Sequence, residues 1–320
     1  MYTNAYSIPL KGSISVKSDN LSVLVRDSTH YYAVVGSYAV HLTIMKGGKA
    51  VKELSIKPSL SEKKIPFQLF GAKFVTFKER VVLVILSTKN IFFYDDEGST
   101  LLYCYLLKDD AINPCSVTGL SSNLVAVGTS LGSVLLFEVP PKGDKILFLT
   151  EIKEKSIQGS VTSITVDKKG HVLCVGDSTG NCSVFDCHEN QNLKLKNSFN
   201  ESQKPVTCLC IWKDYLVASF SHGVISIFDL YQDCHLLDIY AHAKYINSLD
   251  VCQDLLVSSG EDCYFRVWQL NEINKMIKVN HLYSGLVTDT LITSAKFNNN
   301  TNEICISSYD NIEIFVYEAK

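Results

Sequence analysis

Arg26, Arg80 and Arg266 are the only arginines in this chain of 320 residues. A carboxylate-gripping hydrolase site of the sialidase kind would need three guanidinium groups together, plus a Tyr/Glu nucleophile pair. Arg26 ends one strand-like run, Arg80 precedes another and Arg266 lies inside a third, so the three are not expected to converge. The chain is read as containing no Gly-x-Ser-x-Gly elbow, no phosphate-cradling glycine loop and no His-Glu-x-x-His helix. Cys208-Leu-Cys210, and Cys182 to Cys187 with His188, could be soft metal ligands. On a strand, however, a Cys-x-Cys pair puts both sulfurs on one face, with no second pair to complete a tetrahedron. These thiols are read as small apolar packing groups. The expectation is therefore no catalytic residue, no metal and no cofactor.

Composition narrows the remaining classes. With 46% hydrophobic and 20% charged residues the chain can bury a large core. A net charge of -3 does not suit a surface that tracks phosphates, so no nucleic-acid partner is expected. Eleven cysteines, an odd number, follow an N-terminus (Met1 to Leu10) without signal-peptide character, and the expected setting is reduced and cytoplasmic. The longest aliphatic run, Val81 to Leu86, is far too short to span a membrane, and no membrane insertion is expected. It suits a strand buried on both faces.

The elements that would position any site repeat. Ala39, Lys89, Gly132, Gly180, Gly223, Cys263 and Asn311 each sit just before a strand-like run, at intervals of 40 to 50 residues. The segments from Ala126, Cys174, Val217 and Val257 share one pattern: an apolar run, a small polar turn, then a run with an aromatic at one place, Phe137, Phe185, Phe228 or Trp268. Tight turns join only neighbouring antiparallel strands, so each repeat reads as one four-stranded blade. Leu21 to Met45 reads as two runs around Ser37-Tyr38, and in the sixth repeat the third strand ends at Trp268-Gln269 before a fourth run, Ile277 to Tyr283. The last repeat stops too near Lys320 for a fourth strand. Because an open sheet edge is avoided, the spare stretch Tyr6 to Leu10 is expected to fill that place. Lys57 to Pro66 and His188 to Lys204 are polar and read as solvated loops. The predicted fold is all-β: one domain, 1–320, a seven-bladed β-propeller closed by its N-terminal strand.

Ala241-His242 and Trp268-Gln269 bracket the sixth repeat where proteins of the WD-repeat propeller family carry Gly-His and Trp-Asp, and the chain resembles that family. The resemblance implies a hydrogen-bonded chain of His242, Ser258, Asp262 and Trp268, incomplete in the repeats that carry Phe. Segments Ser7 to Ser13, Asn20 to Leu24, Pro140 to Gly143 and Val287 to Thr290 are similar to one branch of the family. The implied function is a non-catalytic platform, a scaffold or adaptor, whose partners are other proteins and not a small-molecule substrate. A substrate-recognition or regulatory subunit of an enzyme complex is the alternative reading, and a propeller hydrolase the next. The candidate protein-binding rim pairs the residue before each first strand with one in the following turn: Tyr245 with Glu261, Pro205 with Ser221, and Ser160 with Ser178, with Lys244 beside Tyr245.

Overall fold

A computed structural model describes all residues except 60–66, 110, 122, 188–192, 201, 233 and 299. Among the described residues every regular element is a strand. The N-terminal strand β1 spans Tyr2–Pro9. Blade 1 comprises β2 (Leu21–Arg26), β3 (Thr29–Val35), β4 (Val40–Lys46) and β5 (Lys49–Ile56), and blade 2 comprises β6 (Leu69–Thr76), β7 (Val81–Ser87), β8 (Asn90–Asp95) and β9 (Leu101–Leu106). Blade 3 holds β10 (Pro114–Leu120), β11 (Leu124–Thr129), β12 (Ser133–Glu138) and β13 (Leu147–Lys153); blade 4 holds β14 (Val161–Val166), β15 (Val172–Asp177), β16 (Cys182–Asp186) and β17 (Lys194–Phe199). Blade 5 follows with β18 (Val206–Trp212), β19 (Tyr215–Phe220), β20 (Val224–Asp229) and β21 (Cys234–Tyr240), and blade 6 with β22 (Ile246–Cys252), β23 (Leu255–Gly260), β24 (Tyr264–Ile273) and β25 (Met276–Leu286). Blade 7 has β26 (Ile292–Phe297), β27 (Glu303–Ser308) and β28 (Glu313–Ala319) from the C-terminus and β1 as its fourth strand. This is the seven-bladed β-propeller class expected from the repeat.

Contacts gather the chain into two compact units, Met1–Ala72 with Tyr240–Lys320, and Lys73–Ile239. In the first unit β1 runs antiparallel to β28, pairing Tyr2 with Ala319 and Pro9 with Glu313, so the N-terminal strand covers an edge that would otherwise be bare. It is longer than the predicted Tyr6 to Leu10 because Tyr2 packs into the core with Phe265, Ile304 and Tyr317. A second core joins Ile8 and Ile314 to Leu21, Tyr32 and Val34 of blade 1. In the second unit the cores again lie between consecutive blades: Leu136, Val161, Ile164 and Phe185 between blades 3 and 4, and Val184, Val206, Leu209 and Phe228 between blades 4 and 5. Because a blade is covered on both faces, its second strand needs no polar alternation, and all of β7 is buried. Packing is close enough that a Cβ on Gly128 would stand 2.3 Å from Val161 Cγ1, which fixes glycine there.

Three sequence readings change. Leu21 to Met45 holds three strands, because Asp27 and Ser28 adopt φ of 50° and 62° and turn the chain in a tight hairpin. β24 continues past Trp268-Gln269 to Ile273 and returns through Asn274-Lys275, so the β24–β25 hairpin is longer than predicted. Lys194–Phe199 is a strand, β17, rather than loop; residues 188–192 of that stretch, like 60–66 of the other polar connection, lie outside the described residues. Five of the seven predicted turn positions, Lys89, Gly132, Gly180, Gly223 and Cys263, have left-handed backbone.

Candidate functional site

The sixth blade assembles the four residues the resemblance singled out. His242 lies ahead of β22, Ser258 in β23, Asp262 in the turn before β24, and Trp268 in β24. His242 Nδ1 is 2.8 Å from Asp262 Oδ1, His242 Nε2 is 2.8 Å from Ser258 Oγ, and Trp268 Nε1 donates to Ser258 Oγ at 3.0 Å. A carboxylate only accepts, so Nδ1 carries the imidazole proton; Nε2 then accepts from the Ser258 hydroxyl. Burial lowers the His242 pKa below 6.5; Asp262 opposes this and Arg266 adds to it, so the ring is neutral near neutral pH. Burial alone would raise the Asp262 pKa, but the hydrogen bonds from His242 and Arg266 and the guanidinium charge of Arg266 prevail and hold it well below the usual carboxylate range.

Sequence reasoning missed Arg266 as a member of this network. Its Nη1 donates to Asp262 Oδ2 at 2.9 Å and lies 2.7 Å from His242 Nδ1, while its guanidinium sits 4.8 Å from the Tyr264 ring centroid. A Ser-His-Asp order invites comparison with a nucleophilic triad, but here the serine is closed. Ser258 is 0% exposed and its oxygen already accepts a hydrogen bond from the Trp268 indole N–H, leaving an acyl carbon no approach. The network is a clamp that fastens the segment before β22 to the turn after β23, and the Ala243 N–H adds a bond to Asp262 Oδ2 at 3.4 Å.

Blades 3 to 5 keep the frame and drop the clamp. Phe137, Phe185 and Phe228 oppose Val125, Leu173 and Leu216 as Trp268 opposes Leu256, while Val127, Val175 and Ala218 stand at the register of Ser258. Blade 4 uses a different fastening. Asp177, 1% exposed at the end of β15, accepts from Gln158 N–H at 2.8 Å, Thr179 Oγ1 at 2.7 Å, Asn181 N–H at 3.0 Å and Asn181 Nδ2 at 3.2 Å. It thereby ties the segment before β14 to the turn after β15. A third device recurs within each unit, a first-strand serine that accepts from a backbone N–H of the next blade. Ser116 takes Ile164 at 3.1 Å, Ser163 takes Leu209 at 3.0 Å and Ser248 takes Ala295 at 2.7 Å. Each serine follows a bulge, which re-aims the strand.

The rim pairs are brought together blade by blade. Glu261 N–H donates to Tyr245 O at 2.9 Å, Ser221 N–H to Pro205 O at 3.0 Å and Ser178 N–H to Ser160 O at 2.9 Å. Lys244 is exposed, but Tyr245, Glu261, Pro205, Ser221, Ser160 and Ser178 are half-buried, so Tyr245 is less open than an exposed anchor. Ser160 Oγ also donates to Ser130 O at 2.6 Å.

One reading of the sequence is corrected outright. Gly128-Thr-Ser130-Leu-Gly132 and Gly176-Asp-Ser178-Thr-Gly180 do fit the Gly-x-Ser-x-Gly spacing. Both lie in turns between antiparallel strands, not at a strand-to-helix elbow, and neither serine hydroxyl bonds a histidine among the described residues. The arginines stay apart in function: Arg80 Nη1 donates to Pro140 O at 2.9 Å and Gly143 O at 2.6 Å, bracing blade 3, whereas Arg266 serves the clamp of blade 6. All eleven cysteines are thiols outside any disulfide, Cys208 and Cys210 are buried, and burial pushes the Cys104 and Cys187 thiols up to about 11 and about 12. No group of three or more His, Cys, Asp or Glu among the described residues is placed to hold a metal ion. No described helix is long and apolar enough to cross a membrane.

Seven blades with a His-Ser-Asp-Trp clamp define a WD-repeat β-propeller protein, a class that generally mediates protein interactions. Within that class the chain belongs to the WDR54 family, whose model matches residues 1–319. It is 27% identical to WD repeat domain 54 of Rattus norvegicus over 98% of both chains, and 26% identical to WD repeat-containing protein 54 of Homo sapiens over 96% of both. Among solved structures, the fold matches a chain in the crystal structure of the Mitotic Checkpoint Complex with a TM-score of 0.78, 12% identity and coverage of 99% of this chain and 96% of that one. Chaetomium thermophilum Raptor matches with a TM-score of 0.72 and 14% identity over 98% of this chain and 30% of that one. These two likenesses concern the fold alone.

Proposed function

We propose that the chain is a non-catalytic interaction platform, a scaffold or adaptor that holds other proteins through the turns linking second and third strands and the segments before the first strands. The observation that carries this reading is the fastening of those segments to those turns. Blade 6 spends a buried His-Ser-Asp-Trp chain on it, blade 4 a buried aspartate with four or more accepted bonds, and blade 5 the Ser221 to Pro205 backbone bond. Loops held in one geometry lose little conformational freedom on binding, so contacts made there convert more fully into affinity. Lys244, Tyr245 and Glu261 form the rim segment of blade 6, with Pro205, Ser221, Ser160 and Ser178 at the matching places of blades 4 and 5. The reading includes a single folding domain, 1–320.

The test is affinity capture from the native cell with Tyr245→Ala/Glu261→Lys. The expected result is an unchanged melting temperature and loss of the main co-purifying protein. Recovery of the same proteins at parental yield would move the binding surface elsewhere.

A further inference from the structure

In the first unit, the segment between β1 and β2 is clasped by the β27–β28 turn. Ile14 N–H donates to Asn311 O at 2.9 Å, Asp310 N–H to Ile14 O at 3.0 Å, and Leu10 N–H to Ile312 O at 2.8 Å. The next residue, Ser15, is bonded to Val35 O at 3.0 Å, beside the β3–β4 turn. This stitching brings the two turns and the segment between them to one end of blades 7 and 1. Four large apolar side chains are left open there: Val16 at 57%, Tyr38 at 54%, Tyr309 at 51% and Ile312 at 62%. Buried interior positions were available to such residues, since the same segment sends Leu10 and Ile14 inside. An exposed cluster of tyrosine and aliphatic groups on hydrogen-bonded turns has the make-up of an interface centre.

The charges around the cluster are unequal. Asp310 adjoins Tyr309 in sequence, and Asp289 lies in the β25–β26 connection, which is bonded to the same turn through Tyr309 N–H to Leu291 O at 2.9 Å. That connection begins at Val287, whose N–H donates to Cys263 O in the turn that carries Glu261. Glu261, Asp289 and Asp310 make no ion pair among the described residues, although Asp19 is held by Lys296 at 2.6 Å. Of the nearby cations, Lys11 is paired with Glu53 at 3.2 Å, Lys17 lies over the Phe70 ring, 4.9 Å from its centroid, and Lys244 is exposed. The apolar cluster is therefore flanked on its blade 6 side by unpaired carboxylates.

We propose that this end of blades 7 and 1 docks a segment of a partner protein in which bulky apolar residues adjoin a run of Lys or Arg. The apolar residues would cover Val16, Tyr38, Tyr309 and Ile312, and the cations would face Asp289 and Asp310. This rests on the platform reading and names the partner chemistry that one part of it takes.

The test uses the full chain and three fluorescein-labelled pools of short synthetic peptides. All share bulky apolar positions and differ in whether the remaining positions are Lys/Arg, Ser/Gly or Asp/Glu. Fluorescence anisotropy is expected to rank the basic pool about tenfold or more above the acidic pool, with a gap that narrows as salt rises. Tyr309→Ser/Ile312→Ser should abolish binding without changing the melting curve, since both side chains are exposed. Asp289→Lys/Asp310→Lys should reverse the ranking. Equal binding of the three pools, no binding, or binding indifferent to these substitutions would overturn the proposal. So would light scattering that shows a dimer split by Ile312→Ser, which would make a second copy the occupant. Partners still captured from cells while the peptide ranking fails would overturn this proposal and leave the platform reading standing.

Discussion

Replacing Ser258 by alanine removes one hydroxyl and orphans two buried groups, the Trp268 indole N–H and the His242 Nε2 lone pair. Ser258 is fully buried, so water does not readily replace the lost oxygen. Each orphan costs about 1–3 kcal/mol, for a total of about 2–6 kcal/mol. At about 2.1 cal/mol/K per residue, a chain of 320 residues melting as one unit has an unfolding entropy of about 0.7 kcal/mol/K, so Tm should fall by about 3–9 °C. Trp268→Phe supplies the second corner of a cycle, because it removes the donor and keeps a ring, as Phe137, Phe185 and Phe228 do in other blades. With the indole gone, Ser258→Ala orphans only the imidazole. The loss in the double variant should then be smaller than the sum of the single losses by about 1–3 kcal/mol. Calorimetry, with urea unfolding as a check, measures all four corners. Additive losses, within about 0.5 kcal/mol, would show that the clamp is not built through Ser258 and would falsify the argument for the sixth blade.

Deleting Met1 to Leu10 should lower stability by several kcal/mol, roughly the loss of the buried Ile8 and Tyr2 side chains, and should bare the β28 edge; an unchanged Tm and no gain in aggregation would count against closure by β1. Acidification should destabilise the protein, because burial lowers the pKa of both His41 and His242 below the ordinary 6.5. The unfolded chain then takes up protons first as pH falls below about 6.5, and stability is lost from there towards the folded values. Asp262, held low, adds the same sign at more acid pH, so a Tm that rises between about pH 7 and about pH 5 would contradict this. Ser183→Ala should raise stability by about 1 kcal/mol in urea unfolding, since the Ser183 hydroxyl is fully buried with no partner among the described residues; a loss of that size would mean the hydroxyl is bonded.

The blades were legible because their turns are punctuated. Gly132, Gly180 and Gly223 mark left-handed positions, and once they set the interval, Lys89 and Cys263 could be placed at the same point despite their side chains. The clamp of blade 6 was legible because all four of its residues are present at motif spacing. Outer strands were harder: β17, read as loop, exposes most of its length and so shows only Phe199 as a buried apolar residue. The fastening residues without a motif were invisible for another reason. Asp177 looks like any turn acid bonded within its own turn, and Ser116, Ser163 and Ser248 look like ordinary strand serines, because the partners that make them fastenings, Gln158 for Asp177 and a strand of the next blade for each serine, are backbone groups of distant segments that carry no sequence signal. Arg266 stands out in the sequence only as one of three arginines, although its partner Asp262 lies four residues earlier, in the turn. The Gly-x-Ser-x-Gly matches show the converse: spacing alone carries no chemistry without its strand-to-helix context.

Site-specific photo-crosslinking in the native cell tests most directly whether the fastened turns hold partners. A photoreactive residue is placed in turn at Lys244, Ser221 and Ser178, and, as controls, at the exposed Lys168 and Lys169 in the β14–β15 turn, at the other end of their blade. The account predicts that the first three positions trap a shared set of proteins that the two controls do not. Crosslinks confined to Lys168 and Lys169, with none from Lys244, Ser221 or Ser178, would contradict it.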